Sequence, residues 1–473
     1  MNSEPLVKLP IPLDEPKIAN DNELRTQLAT INEEFQSLRS QQKQLDEEKG
    51  KTSRKIGEAK KANRNEEAEQ LKAAVKSISS EIKQIKQAIT NLQKAAAEAI
   101  AVAANHAGRT KAPPHFRATS SARKQEIQVT NPSIKHATDG DKVNWNRYVE
   151  QHPESCLYHR YEFRQVIGKT FGHHCVYLIA EDETGNVVGL LPAVQLKSRL
   201  FGNYMVSIPF FNYGGALAES EQIESRLMAE LDKIAKSLDC SHVEYRDTFS
   251  RANLPGKTEK SSMVLALPEK ADTLWDDTGA KVRSQVKKAC ANNLTIKFGG
   301  TELLDDYYKV FAINMRDLGT PVYSSRFFRH LLQEDGLTTH LVVAYHQNQA
   351  VSCGFLMAHH DTMEIPWAST LRSANSLNAN MFLYWNILKF TIDEGFKFFD
   401  FVRSSKDAGT FKFKRQWGAE PQQLYWHYWL DGQGELPELN PNNPKYKFAI
   451  AVWQRLPVWL TKIIGPILVK NLP

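Results

Sequence analysis

Cysteine is scarce in this sequence, and its placement argues against domains stabilised by disulfides or by zinc. Only five cysteines occur among 473 residues, and none forms a CxxC pair. A disulfide framework needs an even set of cysteines and a zinc site needs closely spaced ligands, so both are predicted to be absent. The five positions are Cys156, Cys175, Cys240, Cys290 and Cys353. This usage predicts a reducing compartment.

Long apolar runs are also missing. No stretch reaches the ~18 apolar residues that a membrane-spanning helix requires. Residues 1–21 mix acids with prolines and lack the apolar core of a signal peptide, so we predict disorder there and a cytoplasmic protein. The apolar segment 448–473 carries Trp453 and Trp459, and two placements are open for it. Packing against the body is favoured, and contact with the inner face of the cytoplasmic membrane is the alternative.

Neither charge nor histidine points to a particular ligand. Lysine and arginine number 60 against 54 aspartates and glutamates, which gives a formal net charge of +6. This balance is compatible with nucleic acid or an anionic membrane and requires neither. The pairs His173, His174 and His359, His360 are adjacent in sequence, and adjacent side chains in a strand point apart. We therefore predict no metal site.

Two heptad stripes near the N-terminus predict a coiled-coil arm. Apolar residues recur at steps of four and three, the spacing that keeps one seam on a supercoiled helix. The stripes are Leu24, Leu28, Ile31, Phe35, Leu38 and Leu45, then Leu71, Val75, Ile78, Ile82, Ile85, Ile89 and Leu92. The break between them offers Gly50, Gly57 and Asn63 as turn residues. We predict an antiparallel hairpin over 22–104; one long helix in an intermolecular coil is the alternative.

Composition divides the remainder into a linker and a body. Residues 105–141 contain prolines, serines, threonines and basic residues without periodicity, which predicts a flexible basic linker. Helix and strand patterns then alternate in two successive mixed units of similar size, 142–296 and 297–430. Residues 431–473 form a C-terminal extension. The predicted fold class is α/β, with two mixed-sheet domains preceded by an antiparallel α-helical coiled-coil hairpin.

Four sequence blocks in the body resemble a known family. They lie at 196–215, 314–328, 365–385 and 399–421, and the last contains FKFKRQWGAEP. In this order they are similar to the FemAB-like acyltransferases, and more narrowly to the subgroup associated with exosortase (PEP-CTERM) and exopolysaccharide systems. The resemblance extends over the chain from about residue 142 onward. It implies tandem acetyltransferase (GNAT)-like domains, each a mixed sheet flanked by helices.

The resemblance also implies an activity and partners. Fem enzymes transfer amino acids from aminoacyl-tRNA to an amine of a peptidoglycan precursor, so an acyltransferase or aminoacyltransferase is expected. The implied partners are tRNA and a cell-envelope or exopolysaccharide precursor. The arm resembles the tRNA-binding arm of seryl-tRNA synthetase, with SRKIGEAKKA near its tip. Fem enzymes insert their arm within the body, whereas here it is N-terminal, so tRNA capture and protein docking both stay open.

One lysine is a candidate for stabilising an acyl-transfer intermediate. Transfer to an amine requires a neutral, well-placed amine and donors for the oxyanion. The chain has no GxSxG turn and no Ser/His/Asp order, so we predict direct attack rather than a covalent intermediate. The pattern at 413–418 is similar to a Fem stretch whose lysine contacts the acyl donor, which implies Lys414 as an oxyanion or phosphate donor. A solvated lysine on a strand edge is the alternative.

Two further charged residues are catalytic candidates. Arg403 ends an apolar strand and could bind a phosphate or carboxylate with two donors; an ion pair with Asp400 or Asp407 is the alternative. Asp317 could act as a base or orient the amine, and a surface acid at a helix end is the alternative. Candidate substrate-binding residues are Asn212, Tyr213, Tyr323, Trp367, Ser369, Tyr384, Ser404, Phe413 and Trp417. A plain turn is the more common role for residues such as Asn212 and Tyr213, and the core is favoured for Trp367.

The absence of glycine from one segment bears on the identity of the acyl donor. Acetyltransferases of this fold hold the coenzyme A pyrophosphate on a glycine-rich loop that opens a helix. The matching segment, RSANSLNANM at 372–381, has the arginine and no glycine. This favours aminoacyl-tRNA, or another activated acyl donor, over acyl-coenzyme A as co-substrate, and no tightly bound cofactor is predicted. Three functions stay open: a Fem-like transferase, an acyl-coenzyme A-dependent N-acyltransferase of exopolysaccharide synthesis, and a non-catalytic assembly module that binds through the arm.

Overall fold

Two long helices form an arm, and the arm is a structural unit separate from the body. The computed structural model describes residues 9–13, 22–106, 112–116, 132–251, 254–406, 408–432, 436–437 and 444–472. The chain divides into units 1–109 and 110–473. Helices α1 (Asn22–Lys61) and α2 (Asn65–His106) form the arm. Leu28 near the start of α1 packs with Ala96 near the end of α2, so the predicted antiparallel hairpin is confirmed.

The turn of the arm is shorter than the sequence predicts. α1 continues through Gly50 and Gly57, so the prediction that these glycines belong to the turn is wrong. Only Ala62–Arg64 connects the helices, and Asn63 there has a φ of +57°, which asparagine tolerates better than most residues. Ala59 and Ala68 on either side of the turn are buried. Their small side chains let the helices pack to the tip, which outweighs the weak helix propensity of glycine.

Part of the N-terminal segment is ordered, contrary to the prediction of disorder over 1–21. Leu9 and Ile11 are buried against α1. The backbone N–H of Ile11 donates to Asn32 Oδ1 at 2.8 Å, and Asn32 Nδ2 donates to the Ile11 carbonyl at 2.8 Å. The two apolar side chains extend the seam of the coiled coil, which a heptad count does not reveal. Residues 1–8 and 14–21 lie outside the described ones.

The body is built from helices and strands that alternate along the chain. In chain order, its helices are α3 (Lys142–Gln151), α4 (Glu162–Phe171), α5 (Glu221–Ser237), α6 (Ala271–Asp277), α7 (Ala280–Cys290), α8 (Leu304–Leu318), α9 (Ser325–Gln333), α10 (Ala379–Asp393), α11 (Gly409–Arg415), α12 (Pro444–Trp453) and α13 (Val458–Val469). Its strands are β1 (Ser133–His136), β2 (His174–Glu181), β3 (Val187–Ser198), β4 (Gly202–Val206), β5 (Leu217–Ala218), β6 (His242–Asp247), β7 (Gly256–Lys257), β8 (Lys260–Ala266), β9 (Leu294–Gly299), β10 (Thr338–His346), β11 (Gln349–His359), β12 (Thr362–Thr370), β13 (Phe398–Ser405), β14 (Glu420–Gln423) and β15 (Tyr425–Leu430).

These strands form two mixed sheets. The first has the order β1-β2-β3-β4-β6-β15-β7, with β5 beside β3, and the second has the order β14-β8-β13-β12-β11-β10-β9. Every pairing is antiparallel except β4 with β6 and β12 with β13. Each sheet therefore contains one parallel pair, which fits two copies of one mixed α/β plan. The central strands read as continuous apolar runs because both of their faces are covered.

The two sheets exchange strands, so they do not divide at residue 296. β8 precedes that position and lies in the second sheet, whereas β15 follows the second sheet's other strands and lies in the first. One hydrophobic core also includes Val194 of β3 and Val343 of β10, so both sheets bury side chains together. The predicted boundary between 142–296 and 297–430 consequently has no counterpart in the sheet topology. Such long-range pairing has no local signal in the sequence.

Described parts of the predicted linker belong to the body. Residues 133–136 form β1, an edge strand paired antiparallel with β2. Pro113 and His115 are buried, and the His115 carbonyl accepts a hydrogen bond from the Thr248 hydroxyl. The prediction of a flexible linker is therefore wrong for 112–116 and 132–141. Residues 107–111 and 117–131 lie outside the described ones.

The C-terminal helix α13 packs back on the body, as favoured from the sequence. Its buried residues are Thr461, Gly465 and Val469, which recur every four residues on one face. A Cβ at Gly465 would lie 2.8 Å from the backbone nitrogen of Val322, so only glycine permits this approach. Across the described residues, no helix combines the length and apolarity needed to span a membrane.

Candidate active site

The central feature of the second sheet is a fork between β12 and β13. These strands pair in parallel over only three positions, which end at Glu364 opposite Asp400. Beyond that point β12 continues along β11 to Thr370, while β13 continues along β8 to Ser405. The β13–β8 register shifts between Asp400 and Arg403, which marks a bulge. We call residues 362–370 and 398–405 the strand fork.

Two buried carboxyl groups lie where the strand fork opens. The Tyr213 hydroxyl lies between them, 3.0 Å from Glu364 Oε1 and 2.8 Å from Asp400 Oδ2, and its single proton can be donated to either one. Tyr158 donates to Glu364 Oε2 at 2.6 Å, and the Ser262 hydroxyl donates to Asp400 Oδ1 at 2.7 Å. We call Glu364 and Asp400 the acid pair. Its hydrogen bonds tie the first half of the chain to the second sheet.

Burial and proximity keep a proton on the acid pair. Burial is the main cause that raises the pKa of Glu364 to about 8, and the charge of Asp400 raises it further. The pKa of Asp400 is also raised by burial, although hydrogen bonds from Ser262 and Tyr213 oppose the shift. Two adjacent carboxylates in an apolar interior cannot both ionise cheaply. Glu364 therefore keeps its proton near neutral pH, and burial also disfavours the charged form of Asp400.

Lys414 is fixed at the base of the strand fork. Its ammonium donates to the carbonyl oxygens of Val402 and Arg403, each at 3.0 Å. Val402 has a φ of +59°, which is strained for a β-branched residue, and its N–H donates to Asp400 Oδ1 at 2.7 Å. Burial lowers the pKa of Lys414 to about 8, against the favourable charge of Asp400. The alternative of a solvated lysine on a strand edge is thus wrong: the side chain is buried and sits on helix α11.

Arg403 lies beside a second arginine and a tryptophan. Its guanidinium carbon is 5.4 Å from the centre of the Trp426 ring, and that of Arg246 is 4.6 Å from the same ring. Burial, followed by the charge of Arg246, lowers the pKa of Arg403 to about 10. Within the described residues, Arg403 has no ion pair with Asp400, and Asp407 is not described. The ion pair with Asp400 that the sequence left open is not formed.

An aromatic wall flanks the strand fork. The rings of Tyr323 and Trp367 are 5.9 Å apart, and Tyr323 also contacts Phe210 at 6.0 Å. Burial raises the pKa of Tyr323 to about 12, while the charges of Arg403 and Arg246 act in the opposite direction. Both Tyr323 and Trp367 are half-buried, so parts of their rings are open to a ligand. Their predicted role in substrate binding stays a prediction.

All but one of the other predicted residues lie at the strand fork, and Asp317 is the exception. Tyr384 stacks on Phe401 at 5.5 Å and meets Phe413 at 5.0 Å, and Phe413 lies 6.4 Å from Trp417. Ser369 and Ser404 lie on the fork strands themselves. Their hydroxyls are engaged, with Asn314 Nδ2 donating to Ser369 at 3.0 Å and Ser404 donating to Thr410 at 3.5 Å. Asn212 accepts from the Trp426 indole N–H through its carbonyl.

Asp317 has different surroundings. Its Oδ1 accepts from Arg316 Nε at 2.6 Å, and its carbonyl accepts from Arg372 and Gln454. These contacts are those of an acid near a helix end, because α8 terminates at Leu318 and Gly319 follows in the left-handed conformation. Neither Lys414 nor Arg403 is among its partners. Its proposed role as a base is therefore given no geometric support, and the acid pair offers a better-placed alternative.

Sequence reasoning missed Glu364, Tyr158, Arg246 and Trp426, and considered Asp400 only as an ion-pair partner. A usable signal existed for the two acids, since each interrupts an apolar strand in the runs TMEIPW and KFFDFV. A buried acid must be protonated, paired or hydrogen-bonded, so such positions are functional candidates. For the remaining three, the signal arises only when the two sheets come together.

The adjacent histidines His359 and His360 do not point apart, contrary to the prediction. His360 has a φ of +48° in the turn between β11 and β12, so strand alternation does not apply to it. The rings of His359 and His360 are 4.0 Å apart, and both approach the Ser155 hydroxyl, at 3.2 and 3.0 Å. They line a cavity of about 300 Å³ that also borders Glu364. Among the described residues, no group of three or more potential ligands could hold a metal ion.

Comparisons with known proteins identify the fold. Residues 279–415 match the family described as the acetyltransferase (GNAT) domain. The crystal structure of FemX aligns with a TM-score of 0.51 at 13% identity, over 67% of this chain and 100% of that chain. The C-terminal domain of a putative lysylphosphatidylglycerol synthetase from Agrobacterium fabrum aligns at a TM-score of 0.43 and 12% identity, over 61% of this chain and 92% of that one. A tandem GNAT protein from the clavulanic acid biosynthesis pathway aligns at a TM-score of 0.43 and 11% identity, over 65% of this chain and 100% of that one. No curated protein matches the sequence.

Residues 279–415 therefore match a GNAT-type acetyltransferase domain, and the body is similar in fold to FemX. The predicted fold class is confirmed. The strand fork is placed within the matched region 279–415.

The acid pair predicts a specific pH dependence of stability. Because the folded pKa of Glu364 is about 8, above its ordinary value of 4.5, the folded state keeps a proton that the unfolded chain releases. The free energy of unfolding should fall as pH rises from about 4.5 to about 8, by at most about 1.4 kcal/mol per pH unit for one proton. Glu364→Gln should remove most of this fall. Urea denaturation at about pH 5.5 and about pH 8.5 measures it.

The control is Glu394→Gln, which removes an exposed carboxyl at the end of α10. It should keep the pH dependence of the wild-type protein. Equal pH slopes for wild type and Glu364→Gln would show that the acid pair does not retain the proton.

Proposed function

We propose that the protein is a Fem-like acyltransferase. It transfers an acyl or aminoacyl group to an amine of a cell-envelope or exopolysaccharide precursor by direct attack. The observation that carries this proposal is the position of Lys414, buried at the base of the strand fork and hydrogen-bonded to both Val402 and Arg403. A lysine ammonium has three N–H donors, and two are used here. The third can donate to the oxyanion that forms when an amine attacks a carbonyl.

The strand fork supports this proposal because it offers unshared backbone edges. Past Glu364 and Asp400, the facing edges of β12 and β13 no longer pair with each other. An extended acyl donor can use such edges in the way that a peptide adds to an open sheet. The reacting carbonyl would then lie near Lys414, with its position set by the scaffold rather than by a loop.

The acid pair supplies the acid–base chemistry of the proposed reaction. The attacking amine must lose a proton, and the leaving group must gain one. Because Glu364 keeps its proton near neutral pH, it is the carboxylic acid that donates in this proposal, and Asp400 is the group that accepts. Tyr213 bridges Glu364 and Asp400 and provides a hydroxyl through which a proton can move between them. No covalent enzyme intermediate is required.

The donor is proposed to be aminoacyl-tRNA, with acyl-coenzyme A as the alternative. Residues Arg372–Leu377 form a 3₁₀ helix, and α10 begins directly after Asn378, whose φ is +54°. The Arg372 guanidinium donates to the Asp317 carbonyl at 2.7 Å, so it is already engaged by the protein. This favours a donor that does not depend on a pyrophosphate loop there. The likeness of the arm to a tRNA-binding arm supports the same choice.

Lys414→Ala should lower the rate of acyl transfer by about 100-fold or more. The loss of one preorganised oxyanion donor has costs of that size. The measurement is transfer of a radiolabelled aminoacyl group from tRNA to an extract of cell-envelope precursors. Lys412→Ala is a matched control, because Lys412 is on the same helix α11 and is exposed.

Circular dichroism of Lys414→Ala would establish that the fold is kept. Lys412→Ala should transfer at the wild-type rate. If Lys414→Ala also keeps that rate while remaining folded, the catalytic proposal is wrong and the assembly-module alternative is favoured.

The donor can be tested by binding. We expect the protein to retain tRNA at low salt, and to lose this retention at high salt or when residues 1–104 are removed. Coenzyme A should not raise the melting temperature. A clear rise with coenzyme A, which stabilises any state that binds it, would favour the acyl-coenzyme A alternative. Retention that is unchanged without the arm would contradict tRNA capture by the arm.

A further inference from the structure

We propose that Arg403, Arg246 and the Trp426 ring form a binding site for an anionic group of the substrate, a phosphate or a carboxylate. The inference deepens the proposed function, since it rests on that function only in calling the ligand a substrate. The anion site itself follows from the chemistry of the three side chains.

Arg246 is fully buried and only partly satisfied. It lies on β6, where Nε donates to Glu244 Oε1 at 2.8 Å and Nη1 donates to the Phe211 carbonyl. Its Nη2 is buried and has no hydrogen-bond partner within the described residues. Buried guanidinium nitrogens are costly to leave unpaired, so an open donor here indicates a missing acceptor.

Arg403 is the second arginine that is not fully satisfied within the protein, because its positive charge has no ion-pair partner among the described residues. Among the described residues, no acid lies at ion-pair distance from Arg403 and no hydrogen bond of its side chain is seen; its guanidinium contacts the face of Trp426. Its side chain is half-buried, so it is both partly desolvated and reachable from solvent. The nearby charges do not compensate it. Glu244 is already paired with Arg246, and Asp400 is buried beside Glu364 and faces Lys414.

Within the described part of the chain, the positive charge of Arg403 therefore remains without an ion-pair partner beside Trp426. Lys260 is close enough to Arg403 for that charge to lower its pKa, after burial and against the charge of Glu259. A desolvated cation without a partner is unfavourable, and natural sites of this kind are completed by an anion. Guanidinium groups suit phosphate and carboxylate because their planar forks can donate two parallel hydrogen bonds.

Trp426 gives the site a fixed wall. Its indole N–H donates to the Asn212 carbonyl at 3.3 Å, which holds the ring in place on β15. Both guanidinium groups lie against this ring, and Tyr323 is close enough for both arginines to lower its pKa. The arginines are thus oriented before a ligand arrives, which reduces the entropic cost of binding.

The test is ligand-dependent stability of the full chain, measured as melting temperature in inorganic phosphate, acetate or chloride at equal ionic strength. Phosphate or acetate should raise the melting temperature of the wild-type protein above its value in chloride. A larger effect of phosphate identifies a phosphate group, and a larger effect of acetate identifies a carboxylate. Arg403→Gln should weaken the apparent affinity by about tenfold or more.

Arg403→Gln should also melt at a higher temperature than the wild type in chloride, because it removes an uncompensated charge. A structural cation would have the opposite effect. The matched control is Arg164→Gln, which removes a half-buried arginine that is paired with Asp139. It should keep the response to anions. The inference is overturned if neither anion stabilises the wild type, if Arg403→Gln responds equally, or if Arg403→Gln is destabilised in chloride. No acyl donor is present, so failure of the transfer reaction would not alter this result.

A second inference rests on a different surface. We propose that the outer face of α13 binds a bilayer containing anionic lipid. The exposed side chains Trp459, Ile463 and Ile467 recur every four residues, with exposed fractions of 64%, 59% and 61%. They lie opposite the buried face of α13, so both faces of this helix are apolar. Phe448 and Val452 on α12 are also exposed, at 74% and 42%.

Charge identifies the occupant as a lipid surface. Residues 444–473 contain five lysines and arginines and no aspartate or glutamate. Basic residues beside exposed tryptophan and isoleucine are typical of segments that lie in an anionic interface. The segment is also anchored to the body, because the Lys470 carbonyl bonds to His173 Nε2 at 2.6 Å and the Asn471 carbonyl accepts from the Tyr204 hydroxyl at 3.1 Å.

Flotation with vesicles tests this surface in the full chain. The protein should bind vesicles of phosphatidylcholine and phosphatidylglycerol more tightly than vesicles of phosphatidylcholine alone. The double variant Ile463→Glu, Ile467→Glu should bind about tenfold or more weakly. Leu200→Glu is the control, because Leu200 is exposed at 71% in a turn between β3 and β4. It should bind like the wild type.

Two results would overturn the membrane proposal. One is wild-type protein that does not float with either vesicle. The other is a dimer in size-exclusion chromatography that the double variant dissociates, which would assign the face to a second copy of the chain.

Discussion

The structure depends on two carboxyl groups that cannot both carry a charge. Glu364 and Asp400 face each other where the parallel pairing of β12 and β13 ends. Their hydrogen-bond donors come from both halves of the chain: Tyr158 and Tyr213 precede β6, and Ser262 lies on β8 of the second sheet. These hydrogen bonds make the acid pair depend on the first half of the chain, because without Tyr158 and Tyr213 the buried acids would lose partners that burial requires.

Each sheet buries an acid where a short parallel strand pair ends, and the two sheets neutralise that acid in different ways. In the first sheet, β4 and β6 also pair in parallel only briefly, and the pairing ends at Glu244. There the buried acid is neutralised by Arg246 and bonded by Tyr428. In the second sheet the corresponding acids are neutralised by a proton. The first solution leaves an arginine beside the strand fork, and the second leaves an acid–base pair within it. The two sheets also bury apolar side chains in one core.

The sequence predicts the local elements well and the long-range ones poorly. Heptad spacing identifies the arm, because each turn of a helix repeats the same contact. It does not locate the turn, since Gly50 and Gly57 are held in the helix by pairing along its whole length. The exchange of β8 and β15 between sheets has no local pattern, and neither does the burial of His115 in a segment that resembles a linker.

The candidate site shows the same limit. Lys414 was identified through a motif, and Arg403 through its position at a strand end. Their partners were not, because Val402 and Arg403 offer backbone carbonyls and Trp426 comes from a strand of the other sheet. A motif identifies the side chain, whereas the environment that shifts its pKa depends on the assembled fold.

In the proposed function, the charges around Lys414 and Arg403 would connect substrate binding to catalysis. Lys414 has a pKa of about 8, lowered by burial and by the charge of Arg403, and opposed by Asp400. An anion beside Arg403 would cancel that repulsion and raise the pKa of Lys414, so the lysine would be more completely protonated with substrate present. The oxyanion donor would then be fully charged only when the group that it stabilises can form. The charge of Arg403, unpaired among the described residues, is consistent with this sequence of events, because its electrostatic cost is relieved at the moment of binding.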